Sequence, residues 1–400
     1  MIRRWLIACA TLLLAACQSA NDPAALPTVL DLDAISTDQA ATALAIASPT
    51  RRPLPPTFTP SPTFTLVPTD PAALPTPTPQ GFRSLGTLYY VFNGDAIVEL
   101  AADGSFEDLL PIPQIGQPIT ALTTSLEADM LAYVAPAAGS AREIFITDRS
   151  GTNTRQVSNL GFSDIQRPVW STAGERFAFI AAQAPGAPMG IYTIAVDGTE
   201  QQQMIQLPST ILRDLSWGQE DEWLFFSDNQ IFAIDAFTGE LLPPLTQLTG
   251  FGPDFNPVHS PIQAELYYLK TRQDLDTGIR GGVLSHIVTD DLPDFDIERP
   301  GAALYIDELE YSPDGAFLLA ASQRGLWVQT QAMQTATQIV SDLGVHPQPT
   351  FSPDSTWIAY VDTDELGVPQ IFVIDRRGGD STQITFHQEG TITDLVWLAG

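Results

Sequence analysis

Six times between Thr124 and Val361 the sequence returns to one short pattern. An anchor residue, aromatic in most copies, opens a turn, and an apolar run begins about seven residues later. The copies read TSLEADMLAYV from Thr124, WSTAGERFAFI from Trp170, WGQEDEWLFFS from Trp217, HSPIQAELYYL from His259, YSPDGAFLLAA from Tyr311 and FSPDSTWIAYV from Phe351. Successive anchors stand 46, 47, 42, 52 and 40 residues apart, and 46 more lead from Phe351 to Trp397 in the closing LVWLAG. A register kept this often marks a repeat architecture, in which each unit buries its apolar face against the next.

A second element follows most of the runs. It reads EIFITDRSG, GIYTIAVDG, QIFAIDAFTG, GLWVQTQ and QIFVIDRRGG, each a short strand rich in Ile, Val and aromatics. Most end in Asp and a Gly turn, and Asp148, Asp197, Asp235 and Asp375 hold equivalent places. A third short apolar strand comes behind, such as RQV, MIQL, TQIV or TQITF. Four strands per repeat of about 45 residues predict one blade of a β-propeller. Gly86 to Leu110 holds the second, third and fourth strands of a blade, and Thr391 to Gly400 holds a first strand alone. Joined, these make one blade from both ends of the chain. With six internal blades the expectation is an all-β, seven-bladed propeller over residues 84–400. Blade five, counted from the one at residue 86, is irregular between Lys270 and Pro300.

The aromatic-Ser-Pro-Asp-Gly strand end, best kept in YSPDG (Tyr311 to Gly315) and FSPDS (Phe351 to Ser355) and looser in WSTAG (Trp170 to Gly174), resembles the WD40-like (PD40), TolB-type propeller repeat. The resemblance covers residues 84–400 and implies the fold, since this repeat serves many roles. TolB proteins have six blades and an extra N-terminal domain, both unlike this sequence, so a TolB-like role with an outer-membrane partner does not follow.

The Ser and Asp of these motifs are read as turn chemistry. Proline presets φ, aspartate accepts neighbouring N–H groups, and glycine takes positive φ. The aromatic anchor is expected to pack between blades, as is His259 at its anchor position. No G-x-S-x-G or H-E-x-x-H is present, and His259, His286, His346 and His387 lie far apart with no ligand spacing. The sialidase Asp-box is not satisfied either. Asp290, Asp291, Asp294 and Asp296 lack the glycine spacing of an EF-hand loop and read as a solvated acidic loop. No catalytic set, metal or cofactor is expected.

Function is then sought at the channel mouth. In this architecture the loops leading into the first strands surround it, and here they supply Arg167, Asp214, Asp254, Asp307, His346 and Asp394. Four carboxylates around one opening would focus negative potential and invite a cation or a basic peptide. A merely solvated rim is the alternative. Propeller enzymes acting on glycans, lyases or hydrolases, use carboxylates that no motif announces, so an enzyme stays open beside a binding scaffold.

The N-terminus reads as a processing signal. Arg3 and Arg4 precede an apolar stretch from Trp5 to Ala16, too short to cross a bilayer as a helix. It ends in Leu14-Ala15-Ala16-Cys17, which resembles the bacterial lipoprotein lipobox. The resemblance implies a signal peptide over 1–16 and a lipid on the Cys17 thiol, placing the protein outside the cytoplasm on a bacterial membrane. Stable anchoring would take a second acyl chain. The other cysteine, Cys9, lies within the signal, so no internal disulfide is expected. Residues 17–83 are expected to form a disordered linker, Pro/Thr-rich from Ser48 to Gln80, whose prolines favour an extended chain reaching on the order of 100 Å. The chain carries 47 acidic against 18 basic side chains, with Lys270 the only lysine, for a net charge of −29. Such a surface repels phosphate backbones, so nucleic acid is not an expected partner. An envelope protein or a basic peptide is.

Overall fold

The computed structural model describes residues 85–137, 141–208, 212–248, 252–273, 280–289, 297–298, 305–330 and 336–400. The signal, Cys17 and the linker lie outside these residues, as do Asp290, Asp291, Asp294 and Asp296 of blade five.

Seven antiparallel sheets form seven blades. Blade one is the composite: the late strand Ile392–Leu398 is innermost, followed by Thr87–Phe92, Ala96–Ala101 and Glu107–Leu109. Its seam pairs Thr87 with Leu398, Leu88 with Trp397 and Phe92 with Ile392. Blades two to seven then follow in chain order, with first strands Ala121–Ser125, Asp164–Trp170 in two pieces, Arg213–Trp217, Asp254–His259, Glu308–Tyr311 and Thr350–Phe351.

Each anchor of blades two to seven pairs with the residue seven positions on, beginning with Thr124 and Leu131. Trp170 faces Phe177, Trp217 faces Leu224, His259 faces Leu266, Tyr311 faces Leu318 and Phe351 faces Ile358. The second strands are continuous apolar runs because each sheet is covered on both faces by its neighbours. Tyr89 and Tyr90 show this: both are fully buried, Tyr89 packing toward Leu131 and Tyr133 of blade two, and Tyr90 toward Val361 and Ile371 of blade seven.

Prolines explain the departures from four regular strands. In blade three the first strand breaks into Asp164–Ile165 and Val169–Trp170 around Pro168, which has no N–H for the ladder. In blade four the fourth strand is replaced by the segment through Pro243 and Pro244, held by Leu242 N–H to Ala233 O at 2.9 Å and Leu245 N–H to Ile231 O at 2.8 Å. Blade five, irregular in sequence, carries a long hairpin of Glu265–Gln273 with Arg280–Val288 and a two-residue outer strand, Ile297–Glu298.

Candidate functional site

The first strands converge on the axis, and the anchor register fixes which residues meet there. Three positions before the anchors stand Ala121, Arg167, Asp214, Asn256, Glu308, Gln348 and Asp394, one from each blade. Asp214, Asn256, Gln348 and Asp394 have left-handed backbone, with φ between 41° and 53°. The strand pairing slips by one residue at Asp214, Asn256 and Asp394, so these are β-bulges that re-aim a polar side chain. The side chains join blade to blade. Asp214 Oδ2 accepts the Asn256 N–H at 2.9 Å, Asn256 Oδ1 accepts the Leu309 N–H at 2.7 Å, and Gln348 Oε1 accepts the Asp394 N–H at 2.6 Å. Bulge strain of order 1 kcal/mol per residue is thus matched by a girdle of hydrogen bonds of similar size.

Inside the girdle lies a cavity of about 700 Å³. Arg167, Asp214, Asp307 and His346 line it, joined by Glu308 and Glu310. Asp394 meets them through an ion pair with the Arg167 guanidinium. This pair joins blades three and one, passing blade two, whose Ala121 at the same count from its anchor is buried in the core and whose Leu122, Thr123 and Thr124 line the cavity. About half of the Arg167 side chain stays exposed (49 %) against 14 % of Asp394. An ion pair with one partner so exposed contributes about 0–1 kcal/mol, which makes it exchangeable.

Asp254 is placed differently. It stands five residues before its anchor, opposite Lys270 in the ladder, 1 % exposed and away from the cavity lining. Burial raises its carboxyl above the usual range, against the opposing pull of Thr246, Lys270 and Arg272. The blade five residue at the ring is Asn256. The expected carboxylate at this point of the channel is therefore replaced by an amide.

Glu308 and Glu310 were not singled out from the sequence, although counting back three and one from Tyr311 finds them. They alternate along one strand and so face the same side. Burial, and then the neighbouring Glu308 charge, push the Glu310 carboxyl up to about 8, against the Phe351 N–H, Arg167 and the Thr350 hydroxyl. Both of those hydrogen bonds are long, 3.4 Å each. Burial also raises Glu308, opposed by Arg167 and by His346, whose Nδ1 lies 3.9 Å away, and reinforced by Asp394 and Asp214. Arg167 is held charged: burial works against it, but Asp394, Glu308 and Glu310 together raise it. The mouth thus holds more carboxyl than cation, and Glu310 carries its proton at neutral pH.

The Ser/Asp motifs are turns on the opposite face. Ser312 Oγ and Ser352 Oγ each donate to the aspartate two residues on at 2.6 Å and accept the N–H of Phe317 at 3.0 Å or Trp357 at 2.9 Å. Asp148, Asp197, Asp235 and Asp375 close the other hairpins, as when Asp235 accepts the Phe237 and Thr238 N–H groups. His259 is a packed anchor. It stacks on Phe225 of blade four with ring centres 5.4 Å apart, and its nitrogens meet Ser260 O and Thr289 Oγ1. Burial lowers its pKa. Among the described residues, no group of three or more His, Cys, Asp or Glu is placed to hold a metal, and no helix is long and apolar enough to cross a membrane.

No family model matches the sequence, and no curated protein matches it. Solved structures do. TolB from Acinetobacter baumannii aligns over 79 % of this chain and 67 % of its own, at 13 % identity and TM-score 0.49. An oligogalacturonate lyase from Vibrio parahaemolyticus aligns over 76 % of this chain and 86 % of its own, at 11 % identity and TM-score 0.51. A puromycin-hydrolysing peptidase from Mycobacterium tuberculosis aligns over 76 % of this chain and 54 % of its own, at 11 % identity and TM-score 0.54. At such identities the likeness is one of fold: the chain is a seven-bladed β-propeller.

Proposed function

We propose that this protein is a membrane-anchored, extracytoplasmic propeller acting as a non-catalytic binding scaffold, which takes a partner at its channel mouth. One observation carries the reading. The axial cavity of about 700 Å³ gathers Arg167, Asp214, Asp307, Glu308, Glu310 and His346 from different blades, a concentration of charge that packing of the blades does not require. A surplus of carboxyl groups in a confined opening focuses negative potential, so the partner's complementary feature is positive charge, as in a basic peptide segment.

The anchoring half of the reading rests on Leu14-Ala15-Ala16-Cys17 and the proline-rich sequence after it. The first described residues are compatible with it. Gly86 lies against Leu398, whereas Asp394 and the mouth are at the other end of that strand, so Leu85 and Gly86 stand on the face away from the mouth. Incorporation of labelled palmitate, abolished by Cys17→Ser, tests the anchor. For the mouth, an envelope extract is passed over the wild-type protein and over an Asp214→Asn/Asp307→Asn/Glu308→Gln variant of unchanged melting temperature. Capture of the same proteins by both rejects the reading.

A second reading, a propeller enzyme acting on glycans, draws on Glu310. A carboxyl still protonated at neutral pH is what a general acid requires. Turnover of a glycan library by the wild-type protein, lost in Glu310→Gln, would favour it over the scaffold.

A further inference from the structure

The geometry points to Arg167 as a built-in competitor at the mouth: the partner group that fits the site is a guanidinium, which takes Asp394 from Arg167. This deepens the binding reading above and rests on it. Three features support it. The Asp394 carboxylate is already engaged by a guanidinium, and that guanidinium is supplied from two blades away. Arg167 remains half exposed while paired, with blade two lining the cavity between the partners through Leu122, Thr123 and Thr124.

Arg167 also has somewhere to go. Glu308 and Glu310 lie within its electrostatic reach on the same cavity wall. An incoming guanidinium can therefore pair with Asp394 while Arg167 turns to Glu308, with Glu310 beside it as a hydrogen-bonding neighbour on the same wall. Arginine suits the role better than lysine because its planar fork can hold two carboxylate oxygens at once. His346, beside Glu308, and Asp214 and Asp307, on neighbouring walls, complete the charged groups facing the exchange.

The test uses the full-length protein and a fluorescein-labelled tetrapeptide with one arginine, alongside its lysine and citrulline counterparts. Binding is read by fluorescence anisotropy at low salt in the wild-type protein, Arg167→Gln and Asp394→Asn, each checked for an unchanged melting temperature. The expected result is about tenfold tighter binding of the arginine peptide by Arg167→Gln, as removal of a competing charge implies. Asp394→Asn should lose that binding, lysine should bind more weakly, and citrulline should not bind. Equal or weaker binding by Arg167→Gln overturns the inference. If that happens while the Asp214→Asn/Asp307→Asn/Glu308→Gln variant still loses peptide relative to wild type, only the competitor role falls. If no variant and no wild-type protein binds any cationic peptide, the cation-binding reading of the mouth falls with it.

Discussion

The backbone N–H of Asp314 donates to Ser355 Oγ at 3.1 Å, tying the turn of blade six to the turn of blade seven. Ser355 stands where the YSPDG turn has Gly315, in the same left-handed region, φ 59° against 68°. Serine there carries backbone strain of about 1 kcal/mol and returns a hydrogen bond of similar size. Ser355→Ala keeps the strain and loses the bond, so urea denaturation should show a loss of about 1–2 kcal/mol. Ser355→Gly gives up both and should stay within about 0.5 kcal/mol of wild type. If both variants match wild type, the bond to Asp314 has no energetic weight.

Asn256 offers the same contrast in the girdle. Asn256→Ala deprives the Leu309 N–H of its acceptor and places a side chain at φ 50° with nothing to favour it there. A loss of about 2 kcal/mol is expected, with Asn256→Gly losing roughly half as much. Thermal melts of the pair measure it. A larger loss for glycine than for alanine would mean that the left-handed bulge is not the source of the strain.

Glu310 should write a pH dependence into stability. Its folded carboxyl lies at about 8, above its ordinary 4.5, so the folded state favours the protonated form. The stability this gives is complete below 4.5 and is lost as pH rises toward about 8. The whole shift is worth about 5 kcal/mol, which solvent in the open channel reduces to the order of 1–2. Glu310→Gln should flatten the decline in melting temperature between pH 5 and pH 8, windows set by the same shift. Parallel curves for the two proteins would refute this.

Trp397 closes the ring. It is 3 % exposed and packs with Leu88, Tyr90, Val98 and, from blade seven, Ala359 and Val373. Trp397→Ala should cost about 3–5 kcal/mol by guanidinium denaturation. Phe386→Ala, at a side chain 63 % exposed, should change stability by less than about 0.5 kcal/mol. A small effect at Trp397 would mean that the blades hold together without the seam.

Much of this fold was legible because the anchor register is local: an aromatic, a turn and an apolar run seven residues on can be read without knowing what packs where. The composite blade was readable too, since a lone first strand and a blade lacking one complement each other. The mouth was less so. Asp307 and His346, read by residue type within a loop, do line the cavity, but the bulge in blade five puts Asn256 at the ring and leaves Asp254 out of it. Only the count from the anchor shows that Asn256, Glu308 and Gln348 hold the ring. Glu310 was overlooked because a glutamate beside an anchor has no motif. Its unusual proton affinity comes from burial and from Glu308, and neither can be read from a spacing.

The seam in blade one also sets an order of events. Thr391 N–H binds Asn93 Oδ1 across 298 residues, so the last pairing to become possible is among the most distant in the chain. Such non-local closure is slow, and six blades must wait beside an unfinished one. Asp394 arrives with that same strand. A chain cut short before Ile392 lacks both the strand that closes the ring and the carboxylate that holds Arg167. One strand thus ties closure of the ring to assembly of the mouth, so damage that removes it removes both.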